Sequence, residues 1–169
     1  RWKGHLSMLL PKRQKLKKGH HPALPYDRIR LFMSRLRREL GIAPRALEFT
    51  ILTAARSGEV MTALGGQIDV KEAVWTVPAE RMKSGRPHRV PLCPRALEIA
   101  QAQIAIYGEG HLFPGRRRQA DKTSPMSSTA MKKVMRVMGY AEFTVHGFRS
   151  TFRDWAGDRT TFPRELAEA

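Results

Sequence analysis

Between Gln67 and Leu92 the apolar pattern changes its period, and that change limits the possible folds more than any other feature of the chain. The stretch "QIDVKEAVWTVPAERMKSGRPHRVPL" places β-branched and aromatic residues in short runs. Turn chemistry interrupts it at Lys71–Ala73 and again around "KSGRP". A small antiparallel sheet of about three strands satisfies this pattern, with Lys83 in or near the last turn.

The flanks are helical. Ile29, Phe32, Met33, Leu36 and Leu40 recur at the 3.6-residue period, with Gly41 as a stop. Pro44 opens a second helix through Leu47, Phe49, Ile51 and Leu52, apolar nearly all round and therefore buried. Ser57 is positioned to cap a short third helix reaching Leu64. Beyond the sheet, Pro94 opens a helix that turns Leu97, Ile99, Ala100 and Ile104 inward and ends near Gly108. Ser127 caps another, in which Met131, Val134, Met135 and Met138 fill core. Thr144 caps the last, "HGFRSTFRDW" (146–155), with Phe148, Phe152 and Trp155 on one face and His146, Arg149 and Arg153 on the other. The expected class is α+β, mainly α-helical, with one small sheet. Residues 1–25, which contain "PKRQKLKKGHHPALP", read as a basic, unpacked linker that also accommodates His20 and His21. Residues 26–169 form the folded domain.

Charge narrows the function. Thirty-one Lys and Arg against fifteen Asp and Glu leave a balance of +16. A field of that sign and size favours polyanions, nucleic acid first and an anionic membrane second. No apolar run has transmembrane length, and the N-terminus lacks a signal-peptide pattern. The single cysteine, Cys93, excludes a disulfide framework within the chain and points to a reducing compartment.

Phosphate-loop, dinucleotide, zinc-protease and CxxC patterns are all missing from the sequence. The carboxylates Asp69, Glu72, Glu80, Asp154 and Asp158 are scattered rather than set to converge on two metals. Polar residues standing in apolar surroundings are instead basic: Arg56 directly after "ILTAA", Lys83 at the hairpin, His146 and Arg149 on one helical turn. Two guanidiniums, an ammonium and an imidazole suit a phosphate site that uses no metal and no cofactor. Guanidinium grips two oxygens at once and keeps its charge at any working pH. Lysine can donate a proton to a departing oxygen, and histidine can hydrogen-bond or shuttle protons. Fixed positive charge stabilises a pentacoordinate phosphorus more than the ground state.

Taken together, "ARSGEV" (55–60), "ERMKSGRPHRVPL" (80–92) and "HGFRSTFRDWA" (146–156) resemble the catalytic domain of tyrosine recombinases, and within them prophage and genomic-island integrases. The resemblance implies that family's fold and site-specific recombination of DNA through a 3′-phosphotyrosyl intermediate. It implies that Arg56 and Arg149 clamp the scissile phosphate and that Lys83 protonates the 5′-hydroxyl leaving group. His146 would bond the phosphate or assist proton transfer, with Glu59 supporting Arg56. Double-stranded attachment-site DNA is the implied partner, a homotetramer on DNA the implied assembly, and the bacterial cytoplasm, at the nucleoid, the implied location. The family's nucleophilic tyrosine follows the HxxR pattern, whereas Tyr26, Tyr107 and Tyr140 all precede His146. The expectation is thus a catalytic domain incomplete at its C-terminus, with no nucleophile in the chain, and "RWKGHL" as the tail of preceding domains.

Two other classes remain open at this point. A basic module could bind DNA without chemistry, its HxxR being coincidence, and a type IB topoisomerase uses similar cations. Convergence of the four cations separates a strand transferase from a plain binder. Arg153 reads as an ordinary solvated or salt-bridged residue, with Asp154 or Asp158 as the partner at hand, His88 has no ligand geometry, and "GRRRQADK" (115–122) reads as a surface loop able to touch a DNA backbone.

Overall fold

The computed structural model describes residues 22–82, 85–115 and 124–162. Six α-helices are present among them: α1 (Ile29–Leu36), α2 (Ile42–Thr53), α3 (Ser57–Met61), α4 (Pro94–Tyr107), α5 (Ala130–Val137) and α6 (Gly147–Arg159). Between α3 and α4 lies one antiparallel sheet of β1 (Ile68–Asp69), β2 (Val74–Val77) and β3 (His88–Pro91), in that spatial order. The class is the expected α+β, helix-dominated one. Lys83 and the 116–122 basic stretch lie outside the described residues, as does the linker up to residue 21.

Helix α2 is the axis of the domain. Ala46, Leu47, Phe49 and Thr50 are all buried, so no face of this helix is left to solvent along that turn. Phe49 stacks between Trp75 of β2 and Phe113, with ring centroids 5.6 and 5.5 Å away. The sheet turns one face to this core. Trp75 pairs with Val90 and Val77 with His88, and Trp75, Val77 and Val90 are buried. Strand alternation sends their neighbours outward. The β1–β2 turn is closed by Asp69, whose Oδ1 accepts the amides of Lys71 and Glu72 at 3.0 and 2.9 Å.

A charged residue is also inside. Glu48 is fully buried in α2 and accepts from Arg37 at 2.9 Å, Arg45 at 2.6 Å and Arg95 at 3.0 Å. Burial alone would push its carboxyl pKa up. Hydrogen bonds from Arg95 and Arg37, and the charges of Arg95 and Arg45, outweigh that and hold it below the ordinary value. The cluster ties α2 to the end of α1 and the start of α4.

Several boundaries depart from the sequence expectation for identifiable reasons. Leu40 is 92% exposed, because α1 ends at Leu36 and the chain unwinds before Gly41. Helix α2 begins two residues ahead of Pro44, from Gly41 at φ 107°, so the proline occupies the first turn without a lost hydrogen bond. Ser57 is the first residue of α3 rather than its cap. Arg56 holds the cap position, and the Glu59 carboxylate accepts its amide at 2.9 Å. Before α5, Ser127 Oγ accepts the Thr129 amide and the helix starts at Ala130. The linker assignment fails at its last residues: Leu24 is 1% exposed, and its carbonyl accepts the Thr151 hydroxyl at 2.6 Å.

Replacing Glu48 with Gln leaves three arginines around an uncharged acceptor, and we expect a loss of about 3–5 kcal/mol in unfolding free energy by denaturant titration. The carboxyl's depressed pKa gives this contribution a definite pH window. It is complete above the ordinary value of 4.5 and disappears as pH falls through the lower folded value. Melting temperature should therefore drop over that acidic range in the parent chain, with a smaller drop in Glu48→Gln.

Candidate phosphate site

Helix α2 ends at Thr53, and Ala54 closes it in the left-handed conformation at φ 49°. That reversal throws the chain sideways and brings Arg56, two residues on, to the start of α3. Glu59 then holds Arg56 twice, by its amide and by Nη1 at 2.7 Å. Half of the Arg56 side chain stays exposed while the Glu59 carboxylate is nearly covered. A covered carboxylate behind an accessible guanidinium orients the cation without capping its outer edge.

Arg149 reaches the same turn from α6. Its Nη1 donates to the Ala54 carbonyl, across 95 positions of sequence. Burial is the main influence lowering its pKa. The charge of Arg56 adds to that, Glu59 partly opposes it, and Arg153 adds a further push. Two guanidiniums from distant segments are thus held in electrostatic contact, one of them partly desolvated, an arrangement that an anion placed between them would relieve.

The start of α6 is fixed from outside the helix. Thr144 Oγ1 accepts the Gly147 amide at 2.9 Å, although His146 rather than Thr144 holds the cap position. The Thr144 amide donates to the Pro22 carbonyl at 3.0 Å. Gly147 packs directly on that segment, where a Cβ would stand 2.3 Å from the Pro22 oxygen. His146 occupies the position before the helix, solvent-exposed, with its carbonyl accepting the Arg149 amide at 3.1 Å. Spacing of three places it one turn from Arg149 on the same side of the helix.

A cleft of about 330 Å³ opens beside these residues, lined by Thr53, Ala54, His88, Arg149, Phe152 and Arg153 among others. Arg153 belongs to this cleft rather than to an unrelated surface. His88 enters it from β3. The i, i+4 spacing of Arg149 and Arg153 was a signal for the former, and the alternation His88–Val90 for the latter. The aromatic stripe is less buried than its pattern implied: Phe148 is covered, while Phe152 and Trp155 are 39% and 43% exposed. None of the three tyrosines lines the cleft. Tyr140 packs edge-on to Phe32, with its ring under the Arg35 guanidinium, Tyr26 lies beneath Arg159, and Tyr107 ends α4. Among the described residues no cluster of three or more His, Cys, Asp or Glu side chains is placed to hold a metal ion, and no helix is long and apolar enough to cross a membrane.

With this geometry in view, residues 25–155 match the model of the phage integrase family, and the chain belongs to that family. It is 37% identical over 137 residues to the prophage integrase IntZ of Escherichia coli K12, an alignment covering 79% of this chain and 33% of that protein. To the integrase of Enterobacteria phage P4 it is 32% identical over 160 residues, covering 84% and 36%. The chain thus spans about a third of the length of these curated relatives. Its fold is that of the tyrosine recombinases. XerA recombinase superposes with a TM-score of 0.59 at 12% identity, covering 95% of this chain and 61% of that one. The Tn1549 transposon integrase, solved with transposon right-end DNA, gives 0.59 at 16%, covering 95% and 60%.

Gly147→Ala should force the 22–23 segment and the start of α6 apart. We expect a loss of about 1–3 kcal/mol in stability, typical of overpacking against backbone, and faster hydrogen exchange at the Thr144 amide, which loses its Pro22 acceptor.

Proposed function

We propose that this chain supplies the phosphate-gripping part of a site-specific DNA recombinase, holding one phosphodiester of duplex DNA while its strand is cut and rejoined. The observation that carries this is the Arg56–Arg149 pair, drawn together by the Ala54 turn with one guanidinium partly desolvated. A plain binding surface gains nothing from holding two like charges against each other; a transition state with extra negative charge on phosphorus does. Membership of the integrase family and the DNA-bound fold neighbour support the same reading.

In this mechanism Arg56 and Arg149 each donate to non-bridging oxygens, and Glu59 keeps the Arg56 fork aimed. His146, one turn from Arg149, hydrogen-bonds the same phosphate or relays a proton. Lys83, in the β2–β3 connection, protonates the 5′-oxygen as it leaves. The attacking hydroxyl is a tyrosine other than Tyr26, Tyr107 and Tyr140, none of which lines the cleft. Attack forms the phosphotyrosyl bond as the 5′-oxygen departs, and reversal by a new 5′-hydroxyl restores the phosphodiester, so no external energy source is consumed. Assembly as a tetramer on paired attachment sites, and residence at the nucleoid, go with this proposal.

The chain should bind a short duplex with log K falling linearly in log salt. Arg149→Ala should weaken binding about tenfold and lower the salt slope by about 0.9, one phosphate contact's worth. Binding indifferent to salt, or unchanged by that substitution, would overturn the proposal. The 169-residue chain should form no covalent adduct with a nicked suicide duplex on denaturing gels; an adduct would mean that one of the three tyrosines is the nucleophile.

A further inference from the structure

We propose that His88 is an additional DNA-contacting residue of this site, donating a hydrogen bond to a phosphate oxygen from the sheet side of the cleft. The inference rests on the phosphate reading of the cleft given above and extends it to a residue outside the Arg56, Lys83, His146 and Arg149 set.

Three observations place it. First, His88 pairs with the buried Val77 and lies two residues from the buried Val90, so strand alternation puts it on the inner face of β3, whereas Arg89 is exposed at the rim of the same cleft. Second, that face is incompletely covered at His88, which is half-buried, because the strand ends at the mouth of the cleft shared with Arg149 and Arg153. Third, its side chain makes no hydrogen bond with another described residue. Its ring nitrogens are nevertheless not sealed in: among the described residues the buried side-chain atoms left without a partner are Gln103 Oε1 and His111 Nδ1, so an imidazole N–H of His88 is open to an incoming acceptor. The charged groups on the remaining walls are all cationic, Arg89 of the same strand among them. From α6 come the guanidiniums of Arg149 and Arg153 and the ring of Phe152, and from the end of α2 come Leu52, Thr53 and Ala54. A cavity whose charged lining is cationic presents its imidazole with an anionic acceptor only when one is bound.

The position also has a mechanical consequence. His88 stands at the root of the β2–β3 connection, in which Gly85 donates its amide to the Met82 carbonyl at 3.0 Å. A phosphate held by both His88 and Arg149 links that connection to α6, so DNA itself would fix the hairpin against the helices.

The test uses the 169-residue chain and a fluorescein-labelled duplex read by anisotropy at low salt. His88→Ala should weaken binding roughly tenfold. His88→Gln, which retains an N–H donor, should recover most of that, and melting temperature should be unchanged in both. In the parent chain, the His88 Cε1–H line, assigned by its loss in His88→Gln, should shift as duplex is added. Parent-like affinity in His88→Ala alongside weakened binding in Arg149→Ala would overturn the His88 proposal and leave the phosphate site standing. Indifference to both substitutions would remove the site and this proposal together. An unmoved resonance, or a fall in affinity accompanied by a matching fall in melting temperature, would show a structural role and also overturn it.

Discussion

A single buried carboxylate organises this domain. Glu48 sits on the helix that every other part leans on, and it is tolerated there because three arginines from three segments surround it. An isolated charge at that depth would cost several kcal/mol and would sooner be neutralised than ionised. Arg37, at the end of α1, and Arg95, in the first turn of α4, are thereby held at fixed distances from α2. Apolar packing around Phe49 sets how closely the layers approach, whereas the ion cluster sets their angular register, since guanidinium–carboxylate geometry is directional.

The site inherits its precision from that axis. Ala54 and Arg56 follow α2 directly, so whatever fixes the helix fixes the turn beyond it. The turn's left-handed residue is an alanine rather than a glycine, a strained choice sustained by the surroundings. Arg149 reports the arrangement from the other side, spending one guanidinium N–H on the Ala54 carbonyl. The carbonyl therefore orients the planar group before any ligand arrives, which reduces the ordering that binding would otherwise require.

Much of this was legible in the residues, and the parts that were not share a cause. Helix existence followed from periodicity, and the sheet from the period change after Gly66. Gly139 closes α5 at φ 82° and Gly108 follows α4 at φ 60°, as glycines at those places imply. Failures came where tertiary contacts override a local pattern. Leu40 fits the stripe of α1, but nothing lies opposite it once the helix has ended. Phe152 and Trp155 fit the apolar face of α6, yet they line an open pocket with Tyr26 and Ile29 and stay partly exposed. Leu24 was lost inside a basic, proline-bounded stretch whose composition speaks for a linker, although this one leucine of it is core. Arg56 and Arg149 stood out because cations follow apolar runs there. Arg153 and His88 did not, since each looks solvated until the strand and the helix are set side by side.

The junction at Pro22 has a further implication. Its carbonyl holds the loop before α6, and Gly147 is pressed against it, so the segment entering the domain is fastened directly to the helix that carries His146 and Arg149. Any pull or rotation on the chain upstream is delivered within two residues to the guanidinium in the cleft, with no slack loop to absorb it. The entry segment is in this sense a lever arm, and shortening the protein to begin at residue 26 would saw it off.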